Sequence, residues 1–182
     1  MPRANNKRKA IDKLLTAFGV VAVILLIAIG TLAWLTYSFV STNVHNQLSA
    51  QKIYFPPKGS PALASPQIGP YLDQYAGQQL LTGTQAKAYA DHFIAVHLSE
   101  VANGQTYAQV SAAAQANPGN TQLQQEANTL FKGETLRGLL LGDAYAFSAV
   151  ATIARTAAIV CFIGAGIMAI LVILGLWHMS TL

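Results

Sequence analysis

The sequence predicts an all-α membrane protein in which two transmembrane helices bracket a small extracytoplasmic helical domain, the last domain helix being continuous with the second span. Three observations predict it. Two uncharged apolar runs, 14–40 and 156–177, are each long enough, at 1.5 Å of rise per residue, to cross ~30 Å of hydrocarbon. The 182-residue chain is 53% apolar and only 10% charged, which exceeds an ordinary soluble domain. The stretch between the runs is too polar to be further spans, and its turn and capping signals are those of short helices.

Residues 1–13 form a basic tail. Arg3, Lys7, Arg8, Lys9 and Lys13 precede the first apolar run, against Asp12 alone. Without apolar periodicity the tail reads as disordered, and its charge holds the N-terminus in the cytoplasm. The basic excess therefore flanks a membrane and does not form a nucleic-acid surface. In the run from Leu14, the core GVVAVILLIAIGTLAWLTY is longer than the apolar part of a signal peptide. No small-x-small cleavage site follows promptly, so an uncleaved anchor is preferred to a leader. Trp34, Tyr37 and Phe39 stand where an aromatic belt would lie.

Residues 41–70 read as an extracytoplasmic linker. Pro56, Pro57, Pro61, Pro66 and Pro70 remove backbone donors and fix φ, so the chain from Phe55 is extended, with Lys52–Phe55 available to lie against the domain. The same composition also suits a ligand for aromatic grooves, a weaker reading.

Residues 71–155 form the helical domain. Pro70 opens a helix over YLDQYAGQQLL that Gly83 stops. Thr84 caps a second helix, whose Tyr89, Phe93, Val96 and Val101 mark a buried face and which Asn103-Gly104 ends. Thr106 and Gln109 form a capping box for a third helix to about Ala116. Asn117-Pro118-Gly119-Asn120 is a turn, and a fourth helix runs from Thr121 to about Phe131. Gly133 then passes the chain to the long final helix. Residues 156–177 cross back, leaving 178–182 in the cytoplasm. The expected location is the plasma (inner) membrane, with both termini cytoplasmic and about 41–155 outside.

Along the final helix, Gly138, Gly142, Ala146, Val150, Ala154 and Ala158 recur at every fourth position. Small side chains let a second helix approach closely. The expected packing face is thus Gly138, Gly142, Ala146, Ala154 and Ala158, directed at the first span or at a second copy; the competing reading is simple alanine abundance. For chemistry the residues offer little. His92 and His97 are about 140° apart on a helix and do not share a face for one metal. The lone Cys161 lies in the second apolar run and forms no internal disulfide. Neither a serine-triad motif nor a phosphate-cradling glycine signature occurs. Asp143 is a candidate carboxylate, expected to face water or pair with Arg137. No cofactor or metal is called for. Tyr89, Phe93, His97 and Tyr107 are the residues expected to line any ligand pocket.

The strings QAKAYADHFIAVHLSEVANGQTYAQVS and FKGETLRGLLLGDAYAFSAVATIA, followed by an apolar helix, resemble a group of small two-span actinobacterial membrane proteins of unknown function. The matching residues are Val40, Ser41 and Thr42; His97; Gly104, Thr106 and Tyr107; and Phe131, Leu136 and Arg137. The chain departs from that group at Asn103-Gly104-Gln105 and in its proline-rich insert. Proteins of the group often carry the label of aromatic ring-opening dioxygenase, which these residues do not support, because histidines and a carboxylate at converging spacing are lacking. The resulting expectation is a non-enzymatic accessory or scaffold component of the cell envelope. Its partners would be the lipid bilayer and a second copy or a membrane complex, with no nucleic acid. The alternative is an outer domain that binds or senses a small molecule or lipid.

Overall fold

The computed structural model describes residues 2–181, with side chains from residue 8 onward. Regular structure among these residues is helical, apart from a single antiparallel bridge between Tyr54 and Gln79. The chain divides into two compact units, one of residues 1–39 with 151–182 and the other of residues 40–150.

The first unit is built from parts of two long helices, α1 (Pro2–Gln51) and α7 (Ala146–Ser180). Two helices are long and apolar enough to cross a membrane, over Arg8–Gln51 and Thr121–Ser180. The basic stretch read as a disordered tail is instead the start of α1, since no glycine or proline interrupts the chain between Arg3 and the apolar run. The side chains of Arg3 and Lys7 lie outside the described residues.

Along α1 exposure drops at Thr16, Gly19, Val23, Leu26, Gly30, Ala33 and Tyr37, in alternating steps of three and four. Along α7 it drops at Ala151, Ala154, Ala158, Cys161, Ala165, Met168, Val172 and Gly175 with the same alternation. That is a heptad seam, whose 3.5-residue period keeps two slightly supercoiled helices in contact along their length. The pairing is antiparallel. A Cβ on Gly175 would meet Thr16 Oγ1 at 3.1 Å, one on Gly19 would meet Val172 Cγ2 at 2.6 Å, and one on Gly30 would meet Cys161 Cβ at 3.2 Å. Farther along, the Arg155 guanidinium lies 5.7 Å from the centre of the Tyr37 ring. Gly19 and Gly30 are thus positions of close approach, where an added side chain would crowd the facing helix.

The second unit starts with the end of α1, whose Val44 and Leu48 are buried. Helix continues past Ser41 because STNVHNQLSAQ contains no breaker; it stops where Lys52 takes a left-handed conformation at φ 54°. The linker expected from Ser41 therefore begins at Lys52. Ile53–Pro56 is extended and pairs with Gly77–Leu80, through Phe55 N–H to Gln78 O (2.9 Å), Leu80 N–H to Ile53 O (2.9 Å) and Gly77 N–H to Pro56 O (3.0 Å). This pairing corrects the helix expected over 71–81. Only α2 (Gly69–Leu72) and a 3-10 turn, Asp73–Tyr75, form there. Gly77 at φ 74° then reverses the chain; Gln78 N–H closes on Tyr75 O, while Gly77 N–H, Leu80 N–H and Gln78 O find partners in Ile53–Pro56 instead of in a helix.

The next helical segment is α3 (Gly83–Ala88), a π-helical stretch Tyr89–Ile94, and α4 (Ala95–Val101). Its cap is Thr82, not Thr84, with Gln85 closing the box. Gly83 does not stop a helix; it begins this one, because a Cβ there would fall on the Ser148 side chain and 2.8 Å from Ala144 O. Ala86, Ala90, Ile94, Leu98 and Ala102 are buried at every fourth position. In a plain α-helix such a row drifts about 40° per step; the wider π turn holds it on one side. Tyr89, Phe93 and Val96 flank this row half-buried, and Val101 is exposed.

Asn103 (φ 50°) and Gly104 (φ 77°) end α4 with left-handed backbone. Thr106 and Gln109 form the capping box of α5 (Tyr107–Ala116). Asn120 then caps α6 (Thr121–Leu139), its Oδ1 accepting from the N–H groups of Gln122 and Leu123. No break occurs at Gly133. Helix runs through it to Leu139, because this glycine is a notch for Leu98, whose Cδ1 lies 2.9 Å from where a Cβ would stand. A second π-helical stretch, Leu140–Tyr145, joins α6 to α7, with Leu140 and Ala144 buried.

Candidate functional site

The reversal after α4 builds a recess in the second unit. Gly104 N–H closes onto Ser99 O at 2.8 Å and Gln105 N–H onto Ala102 O at 2.9 Å, so the chain doubles back tightly. Thr106 then starts α5, and Ser99, Gln105 and Tyr107 are brought opposite Leu130, Glu134 and Arg137 of α6. The cleft between them measures about 460 Å³. Leu98 and Leu130, both buried, lie beneath it. The Tyr107 ring is 40% exposed and stands 5.7 Å from the 55% exposed Phe131 ring, centre to centre.

Charge around the cleft is arranged in alternating sign. Arg137 reaches Glu134 at 3.5 Å and Asp91 at 3.6 Å, and Asp91 is also bound by Lys87. The Lys87 hydrogen bond holds the Asp91 carboxyl below its ordinary range, aided by the nearby positive charges. The same bond raises Lys87, whose ammonium also lies 5.3 Å from the centre of the Tyr145 ring. Burial of Arg137 Nε leaves that nitrogen without a partner among the described residues. Asp143 faces water, one of the two outcomes expected of it, and borders a separate recess with Gln47 and Gln51; it does not pair with Arg137, whose charge is spent on Asp91 and Glu134.

Of the four residues expected to line one pocket, Tyr89, Phe93 and His97 come together, without Tyr107. Tyr75, Phe55, Tyr89, Phe93 and His97 form a row of rings with successive centre separations of 5.2, 5.4, 4.8 and 4.4 Å. Spacing of four residues along the π stretch stacks Tyr89, Phe93 and His97 on one another, and Phe55 fills the space beside them. His97 Nδ1 lies 2.8 Å from Phe93 O, and burial pushes the Tyr89 phenol up. Only Tyr107 reaches the cleft. His92 is stacked on Tyr71 at 3.6 Å with the rings parallel within 2°. Among the described residues no group of three or more His, Cys, Asp or Glu is placed to hold a metal ion.

The expected small-residue packing face also divides. Ala154 and Ala158 belong to the heptad seam, but Gly138, Gly142 and Ala146 are exposed, and a Cβ at either glycine would meet nothing within 4 Å. A four-residue row drifts around a straight α-helix, and the π stretch Leu140–Tyr145 shifts its phase again. As a packing face within the chain, the row is therefore replaced by Ala151, Ala158 and Ala165, seven apart.

Sequence reasoning did not single out Gln105 or Glu134 for the cleft. The available signals were the Glu134–Arg137 spacing of one helical turn and the capping box that orients Tyr107. Compared with family models, curated proteins and solved structures, the chain matches none.

Proposed function

We propose that the protein is a non-enzymatic integral membrane component of the cell envelope that works by holding partners together. In this reading α1 and α7 cross the plasma membrane, both termini are cytoplasmic, and residues 41–155 are outside, in keeping with the basic residues ahead of the first span. The observation that carries the reading is an open helix face. Leu139, Phe147 and Val150 are 52–53% exposed on the stretch where Gly138 and Gly142 leave their surroundings empty. Exposed apolar side chains beside small residues suit close approach by a helix of a second copy or of a membrane complex.

The test uses the full chain in nanodiscs and in intact cells. A photo-crosslinking residue at Val150, exposed on the same stretch, should capture a defined partner or a second copy. The Gly142→Leu/Ala146→Leu double variant should abolish the product while leaving thermal stability unchanged, because both sites are exposed. An unaltered crosslink pattern and assembly size in that variant would overturn the reading.

A second reading, binding of a small molecule by the outer unit, is favoured by the cleft at Tyr107. It locates the ligand between α4, α5 and α6 and away from the filled aromatic row.

A further inference from the structure

The inference drawn here rests on that second reading and names the chemistry of the ligand. Charge comes first. Among the residues lining the cleft the charged ones are Glu134 and Arg137, which pair with each other, so the lining carries no net charge. A lone anion or cation entering it would add an uncompensated charge, which disfavours ionic ligands. Polar capacity comes next. The side chains of Ser99 and Gln105 have no partner among the described residues, and both border the cleft. Together with the Glu134 carboxylate, an acceptor, and the Arg137 guanidinium, a donor, they offer hydrogen bonds of both kinds within one recess. An acyl chain would leave these groups unused.

The aromatic ledge completes the pattern. Tyr107 lines the cleft with a ring that is 40% exposed, and the Phe131 ring, outside the lining, stands 5.7 Å from it at 45°. A ligand that fits has an apolar face to lie on a ring and an edge of vicinal hydroxyls, each both donor and acceptor. Pyranose rings have that shape: axial C–H groups on one face and hydroxyls around the rim. Adjacent hydroxyls can donate to Glu134 and accept from Arg137 without altering the net charge. The volume of about 460 Å³ is within the roughly 300–1,000 Å³ of small-molecule sites. The geometry points to this cleft as a binding site for a neutral saccharide.

The test is saturation-transfer difference NMR on the full chain in nanodiscs of phosphatidylcholine and phosphatidylglycerol, avoiding glucoside and maltoside detergents, whose headgroups would compete. The probes are neutral oligosaccharides of glucose, mannose, galactose and N-acetylglucosamine. At least one should receive saturation, and its apparent affinity should fall ten-fold or more in both Tyr107→Ala and Glu134→Gln. These residues are 40% and 48% exposed, so both variants should keep the wild-type melting temperature. Absence of transfer to every saccharide, or equal transfer in wild type and both variants, overturns the assignment. Octanoate and dodecylphosphocholine are titrated in parallel. If either binds in a Tyr107-dependent way while no saccharide does, the saccharide assignment falls and the small-ligand reading stands; if no probe binds, both fall.

Discussion

The seam between α1 and α7 supports a sharp test at Gly19. A methyl group there would stand 2.6 Å from Val172 Cγ2, whereas carbon atoms in good contact are about 3.5–4.0 Å apart. Roughly 1 Å must be found, either by parting the helices or by forcing Val172 off its rotamer. Overpacking of this kind costs about 1–3 kcal/mol. Glycine to alanine also raises helix propensity, by up to about 1 kcal/mol, and that gain must be removed before the clash can be read. Gly166 supplies the reference, since a Cβ there meets nothing within 4 Å. Gly19→Ala should therefore be less stable than Gly166→Ala by about 1–3 kcal/mol. The assay is reversible unfolding in mixed micelles by rising denaturing detergent, followed through Trp34 and Trp177, the only tryptophans. Adding Val172→Ala removes the clashing methyl and should recover most of the loss, giving a coupling above about 0.5 kcal/mol. Equal stability of Gly19→Ala and Gly166→Ala, or no recovery in the double variant, would refute the seam register.

The same reasoning separates two glycines of α6. Gly133→Ala should destabilise the second unit by about 1–3 kcal/mol because its methyl collides with Leu98, and Gly138→Ala should be neutral or stabilising by up to about 1 kcal/mol because its surroundings are open, as melting curves would show. Thr106→Ala removes the α5 cap and should cost about 0.5–2 kcal/mol, with Thr106→Asn close to wild type in the same melts. The pair Lys87–Asp91 predicts a pH profile. Asp91 is depressed from 3.8, so its contribution is complete above that value and is lost as pH falls through the lower folded value. Lys87 is raised from 10.5, so its contribution is complete below that value and is lost as pH rises through the higher folded one. Asp91→Asn should remove this pair's share of both limbs relative to wild type; identical limbs in the two proteins would argue against the pair.

What the amino-acid sequence determined by itself is what depends on neighbours within about one helical turn. Charge-free runs specify helices able to cross a bilayer; Thr106 with Gln109, Asn103 with Gly104, and Asn117 to Asn120 specify where helices start and stop. Each of these is a local balance of backbone donors, acceptors and φ preference. What the tertiary structure decided depends on residues remote in the chain. Gln78–Leu80 is extended because Ile53–Pro56 supplies its backbone partners, against a local pattern that favours helix. Gly133 lies within a helix because Leu98 occupies the space of its missing side chain. The small residues that bring α1 and α7 together follow a seven-residue period, since two rods in contact over a long distance must supercoil to keep their faces matched; that period is a property of the pair and is invisible in a four-residue row read from one helix. The cleft at Tyr107 has the same origin. Its aromatic and charged walls come from separate helices, and only the reversal at Asn103-Gly104 and the packing of α5 on α6 bring them face to face.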